Sequence, residues 1–152
     1  ILESRNVAHT LMPKAIVDFG ILSAFESVID TVNKSHEDTK FHFTHNLKAE
    51  KMANQQIEIT FYRILQEAIN NINKYAKASN VYIQLKEYDN IFMLTIEDDG
   101  VGFELENIKK EDSGLGFRSM QNRLDAINGF LEINSVIGKG TIILVEISKD
   151  IT

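Results

Sequence analysis

Two runs of alternating apolar and polar residues, separated by a short polar turn, constrain the fold of this chain most strongly. Residues 81–86 and 92–97 both have the period of two expected of a strand with one buried face. The polar pair Asp89-Asn90 lies between them, so the two runs predict an antiparallel hairpin. The side chains expected to face the core are Phe92, Leu94 and Ile96.

The second run ends in the segment Asp98-Asp99-Gly100-Val101-Gly102-Phe103. An ionised carboxylate at a strand end accepts hydrogen bonds, so it suits a partner that presents N–H groups. The two glycines allow a sharp turn and a close approach of the backbone to a ligand. A plain Asp-Gly turn is the alternative interpretation of this segment taken alone.

The composition excludes several classes of protein. With 152 residues, 43% hydrophobic and 25% charged, the chain is typical of one globular domain and not of a disordered protein. A net charge of −6 without a dense basic tract gives no support to a nucleic-acid partner. The absence of cysteine excludes disulfides, and neither a transmembrane-length apolar run nor a signal peptide is present. Because the first residue is Ile, we expect an excised piece of a longer protein.

Further periodic segments complete the predicted architecture. They are a helix over residues 13–29, a strand over 41–45, helices over 54–75 and 117–128, and a second hairpin formed by 130–133 and 142–147. Gly20 is a weak point within the first helix, costing about 1 kcal/mol relative to Ala. Strands in hairpins with helices on one face predict a two-layer α/β sandwich with a mixed, largely antiparallel sheet.

The helix over residues 54–75 has a polar face formed by Glu67, Asn71, Lys74 and Tyr75. A solvated surface is the alternative interpretation of such a face. Asn is a poor helix former, so Asn71 indicates a role other than helix propensity. An Asn oxygen together with phosphates can hold Mg²⁺, and Lys74 is a suitable point charge for phosphate.

A glycine-rich segment, Gly114-Leu115-Gly116, comes immediately before the third predicted helix. Backbone N–H groups at the positive end of a helix dipole form an anion site. The charged, aperiodic residues 104–113 before it predict a long functional loop such as a lid. The Walker pattern is absent, so the chain is not a P-loop protein.

Taken in order, these residues resemble the N, G1, G2 and closing boxes of the GHKL (Bergerat-fold) ATPases. The boxes are Glu67…Asn71…Lys74-Tyr75-Ala76, Asp98-x-Gly100-x-Gly102, Gly114-Leu115-Gly116 and Gly140-Thr141. Residues 61–71 and 116–123 are similar to those of sensor histidine kinases whose dimerisation domain is of the HisKA_3 type. The resemblance implies the Bergerat fold, with residues 1–34 ending the dimerisation domain and forming a connecting helix, and residues 35–152 forming the ATP-binding catalytic domain.

The resemblance assigns the adenine end of a nucleotide site to residues near the first hairpin. Asp98 is expected to accept from the adenine amino group, and Thr141 to support that acid through water. Gly100 and Gly102 are expected to hinge the lid, with Phe103 also at the nucleotide.

The resemblance assigns the phosphate end to the helix face and the glycine-rich segment. Asn71 is expected to ligate Mg²⁺, Lys74 to contact phosphate, and Tyr75 to lie against the nucleotide. Glu67 holds the position of the general base in hydrolysing relatives, and here we interpret it as a polarising group. The residues expected to approach the phosphates are Gly114, Leu115 and Gly116. Tyr75, often His in this subgroup, departs from the pattern, as does Phe117, often Leu.

The implied function is transfer of the γ-phosphoryl of Mg-ATP to a histidine, and then to a response-regulator aspartate. None of the histidines fits the family's acceptor position, so we expect the acceptor upstream; they are His9, His36, His42 and His45. We expect a cytoplasmic domain of a homodimeric parent. The alternatives are another GHKL ATPase or an anti-sigma-factor serine kinase, and a degenerate nucleotide-binding module used for docking.

Overall fold

The computed structural model describes residues 13–104 and 116–150. Its elements are α1 (Lys14–Phe19), α2 (Ile21–Ser35), β1 (Lys40–His45), α3 (Gln55–Asn71), a π-helical turn (Ile72–Ala76), β2 (Asn80–Glu87), β3 (Ile91–Asp98), α4 (Phe117–Asp125), β4 (Phe130–Val136) and β5 (Gly140–Ser148). Within these residues the strands form one sheet in the order β1-β2-β3-β5-β4. The lid loop predicted over residues 104–113 lies almost wholly outside the described residues, as do Gly114 and Leu115.

The sheet is mixed, as predicted. β1 pairs with β2 in parallel, and the other three pairs of neighbouring strands are antiparallel. Both predicted hairpins are present, β2 with β3 and β4 with β5. Phe92, Leu94 and Ile96 are buried as their alternation predicted.

The core lies between one face of the sheet and the helices. Inward side chains of β2, β3 and β5 pack with α2, α3 and α4 in one hydrophobic cluster. Phe25, Phe61, Leu94 and Met120 have no exposed surface, and burial of each such side chain stabilises the fold by about 1.5–3 kcal/mol. The α/β sandwich predicted from the sequence is therefore confirmed.

The first helix differs from its prediction because Gly20 breaks it into α1 and α2. Gly20 has φ 90, and a Cβ there would collide with Lys51 and the backbone of Glu50. The break lets the N–H of Ile21 donate a 3.0 Å hydrogen bond to the buried carboxylate of Glu58. Phe19, placed on the apolar stripe by a continuous helix, is 62% exposed instead.

The helix that carries the polar face begins at a capping residue and ends in a wider turn. The side chain of Asn54 accepts from the N–H groups of Gln56 and Ile57, which caps α3. The last four residues of the predicted helix, together with Ala76, form the π-helical turn, and Lys77 follows with φ 50. Among the described residues, no helix is both long and apolar enough to cross a membrane.

Candidate functional site

Asp98 ends β3 in the interior of the sheet, between Val81 of β2 and Thr141 of β5. Its side chain is 7% exposed and accepts a 2.9 Å hydrogen bond from the N–H of Gly100. Burial raises the pKa of Asp98 above its ordinary value, against the opposing effect of the N–H groups of Gly100 and Thr141. A buried carboxylate has more acceptor positions than these two donors fill, so it can accept from an N–H group of a ligand.

Glycines allow the backbone to pack tightly around Asp98. Those closest to it in the fold are Gly100, Gly102 and Gly140. A Cβ at these positions would overlap, respectively, the carbonyl oxygens of Ala76, Val136 and Asp98 itself. Gly102 and Gly140 also have positive φ values, 66 and 121, which L side chains rarely adopt. These glycines are therefore required by the fold around the acid, and the role of Gly100 and Gly102 as hinges stays a prediction.

Hydrogen bonds link Thr141, which lies opposite Asp98 on β5, to Phe103, one residue before the end of the first described range. The hydroxyl of Thr141, buried beside Asp98, lies 2.7 Å from Oγ of Ser135. The N–H of Phe103 donates to the same Ser135 oxygen at 2.9 Å. The Phe103 ring packs against Phe117 at the start of α4, with ring centroids 5.7 Å apart. Ser135 therefore links the surroundings of the acid to the segment that was predicted to move.

The predicted site residues of the polar helix face lie on α3 and the π-helical turn. Glu67 and Asn71 are one turn apart on α3, and Lys74 and Tyr75 are exposed on the π-helical turn. Oε2 of Glu67 is buried and has no hydrogen-bond partner among the described residues. That oxygen lies 2.6 Å from the position a Cβ would take on Gly116. The structure thus brings Glu67 to the N-terminus of α4, where an anion is favoured.

The sequence analysis missed three polar residues in this region. Ser135 lies in an ordinary alternating strand, and only its register opposite Thr141 reveals its role. Arg63 and Arg123 come from α3 and α4, and the pKa of Arg63 is lowered first by burial and then by the charge of Arg123. Two like charges held together favour a nearby anion. Their proximity follows from the packing of the two helices, which residue spacing alone does not contain.

A family model described as "Histidine kinase-, DNA gyrase B-, and HSP90-like ATPase" matches residues 56–151. This range includes the residues predicted for the adenine end and for the phosphate end of the candidate site. The chain belongs to this family. Its membership in the HSP90-like ATPase family implies ATP as the nucleotide, and the resemblance found from the sequence is confirmed.

Curated relatives are sensor histidine kinases. The oxygen sensor histidine kinase NreB of Staphylococcus carnosus is 33% identical over 145 residues, which cover 95% of this chain and 41% of NreB. The sensor histidine kinase MctS of Rhizobium johnstonii is 35% identical, over 89% of this chain and 29% of MctS. ComP of Bacillus subtilis is 30% identical, over 92% of this chain and 18% of ComP. The chain thus spans less than half the length of these relatives, and they support the histidine kinase catalytic domain over either alternative.

Solved structures show the same fold at lower identity. The blue-light activated histidine kinase EL346 of Erythrobacter litoralis superimposes with a TM-score of 0.67 and 16% identity, over 87% of this chain and 42% of that one. The mycobacterial sensor histidine kinase MprB gives a TM-score of 0.62 and 16% identity, over 84% of this chain and 93% of that one. The fold described above is therefore shared with histidine kinases.

The side chains present fit a magnesium ion only if phosphates complete its coordination. Among the residues described, no three His, Asp or Glu side chains cluster closely enough to hold a metal by themselves. The oxygen predicted to ligate Mg²⁺ is that of the Asn71 amide, and one turn away Oε2 of Glu67 is buried without a hydrogen-bond partner among the described residues. Mg²⁺ prefers oxygen ligands and keeps several waters, so a small protein contribution plus phosphate oxygens matches its chemistry.

We expect Ser135→Ala to weaken ADP binding about 5–10-fold, because the hydroxyl that joins Thr141 to the N–H of Phe103 is lost. The substitution frees the hydroxyl of Thr141 and leaves the N–H of Phe103 without its partner. Isothermal titration with ADP measures the effect. Ser148→Ala, at the far end of β5, is the matched control and should bind like the wild type. Equal affinities of Ser135→Ala and wild type would contradict the role of these hydrogen bonds.

Proposed function

We propose that this domain binds Mg-ATP and transfers its γ-phosphoryl group to a histidine of a separate dimerisation domain. The supporting observation is the buried carboxylate of Asp98, held at a strand end with spare acceptor capacity in a turn that only glycines can form. The adenine amino group would donate to this carboxylate. The purine would thereby be recognised by a charged acceptor in a largely buried position, where such hydrogen bonds are strong.

The phosphate chain would extend from adenine towards α3 and α4. Lys74 would supply a positive charge for the phosphates, and Asn71 would hold the magnesium ion. When bound, that ion neutralises charge that develops on the transferred group. Phosphoryl transfer depends mainly on positioning and charge stabilisation, so this set of residues needs no nucleophile of its own. Glu67 would polarise and orient the groups next to the phosphates.

The division of the chain belongs to the same proposal. Residues 1–34 would end the dimerisation domain and form the connecting helix, with residues 35–152 as the catalytic domain. The connecting helix would be firmly attached, because Phe25, Ile29 and Val32 of α2 share the core with α3 and the sheet. This chain would be a cytoplasmic domain of a homodimeric protein, and a response-regulator aspartate would receive the phosphoryl group.

Incubation with γ-labelled ATP and Mg²⁺ tests this function. We expect the domain alone to bind ATP and to acquire no label, because none of the four histidines of this sequence fits the acceptor position of the family. Adding a dimerisation domain from a HisKA_3-type relative should produce acid-labile, base-stable label on that domain. The Asp98→Asn variant is the control and should transfer no label.

Stable, acid-labile label on the domain itself would contradict the assignment of the acceptor to another domain. Release of free phosphate at turnover rates, with no transfer, would favour the hydrolysing alternative. Weak nucleotide binding with neither transfer nor phosphate release would favour the degenerate module.

A further inference from the structure

The carboxylate of Asp99, next to the adenine acid, holds the connection between the π-helical turn and β2. Its Oδ1 accepts from the N–H of Ser79 at 2.8 Å and from the N–H of Asn80 at 2.9 Å. In return, the N–H of Asp99 donates to the carbonyl of Asn80 at 3.2 Å. The N–H donors lower the pKa of Asp99, so the bonds are made to an ionised acceptor, which strengthens them.

The start of the same connection, at Ala76, is bonded to the segment that follows Asp99. The N–H of Val101 donates to the carbonyl of Ala76 at 2.8 Å, and Gly100 packs directly on that carbonyl. Between these two attachments lies Lys77, a non-glycine residue with φ 50. Such a conformation is unfavourable for an L residue and persists where its surroundings impose it. The bonds from Asp99 and Val101 therefore fix a connection that would otherwise relax.

This connection lies between the two ends of the candidate site. Asp98 comes immediately before Asp99. Lys74 and Tyr75 lie in the π-helical turn, which immediately precedes the connection. We infer that Asp99 is a positioning residue, which keeps the adenine acid and the phosphate-side cation at the spacing that one nucleotide requires. The inference rests on the proposed function, and Asp99 acts through backbone groups without touching the ligand.

The preference for ADP over adenosine tests this inference. Adenosine carries the base and ribose but no phosphates, so the ratio of its Kd to that of ADP reports how well the two ends act together. A general loss of folded protein reduces both affinities equally and leaves the ratio unchanged. We expect Asp99→Ala to reduce the ratio about tenfold, and Asp99→Asn, which keeps the Oδ1 acceptor without its charge, about threefold.

Asp89→Ala is the matched control. It removes the same charge from an exposed position at the opposite end of the β2–β3 hairpin, and its ratio should equal that of the wild type. If Asp99→Ala does not fold, Asp99→Asn decides. A ratio equal to wild type in both variants, or in Asp99→Asn where it alone folds, overturns the inference. If wild-type protein binds neither ADP nor adenosine, the proposed function itself fails, so the two failures are distinguishable.

Discussion

Asp98→Asn is expected to remove almost all nucleotide binding, lowering the affinity for ADP about 100-fold, which corresponds to about 2.7 kcal/mol. An amide has one acceptor oxygen, and backbone N–H groups already require it. Its NH₂ group would face the adenine amino group, so two donors would meet in a buried position. Both would then lack an acceptor, and each unsatisfied group carries its full desolvation cost.

The same variant is expected to be as stable as the wild type or more so. Because burial raises the pKa of Asp98, the folded state holds the proton more tightly than the unfolded state does. Stability then decreases as the pH rises through the interval between the unfolded value and the raised one. At neutral pH the charge is therefore unfavourable for folding, and an uncharged Asn removes that contribution. Under the proposed function, the acid would therefore serve binding and not stability.

Isothermal titration with ADP and urea denaturation at pH 7 separate these two effects. Asp89→Asn, which removes a charge from the exposed turn of the same hairpin, should change neither measurement. ADP affinity of Asp98→Asn within threefold of wild type would contradict the assignment of Asp98 to adenine. A large drop in its urea midpoint would contradict the direction of the pKa argument.

Gly140→Ala is expected to have the largest effect on stability, about 4 kcal/mol or more. Gly140 has φ 121, and an added Cβ would overlap the carbonyl oxygen of Asp98 on the neighbouring strand. Neither atom can move easily, because both belong to the backbone of the β3–β5 pair. For a domain of this size the melting temperature should fall by roughly 10 °C or more.

Gly138→Ala is the control for Gly140→Ala. Gly138 also has a positive φ, 83, but a Cβ there meets nothing within 4 Å. Only the conformational cost applies, which is about 1 kcal/mol, and it should lower the melting temperature by about 2–4 °C. Thermal unfolding followed by circular dichroism compares the two. Similar melting temperatures for both variants would show that the close approach to Asp98 is unimportant.

The strands and helices of this protein follow from periodicity that is local in the sequence. The alternation of residues 81–86 and 92–97 predicted the first hairpin, and the apolar stripe of residues 54–75 predicted α3. The break at Gly20 did not follow, because it depends on Glu58, a residue far along the chain that accepts from the N–H of Ile21. The π-helical turn was missed as well, since its apolar spacing differs too little from that of an α-helix.

The sequence by itself determined the residue types of the candidate site: an acid and two glycines after one strand, and Glu, Asn and Lys on one helix. These patterns are short, so neighbouring residues were enough to identify them. Only the tertiary structure decided how the two groups meet. Ser135 lies opposite Thr141 through strand pairing, and Asp99 reaches Ser79 and Asn80 across a turn. Such contacts join residues many positions apart, and the side chains that form them carry no periodic signal.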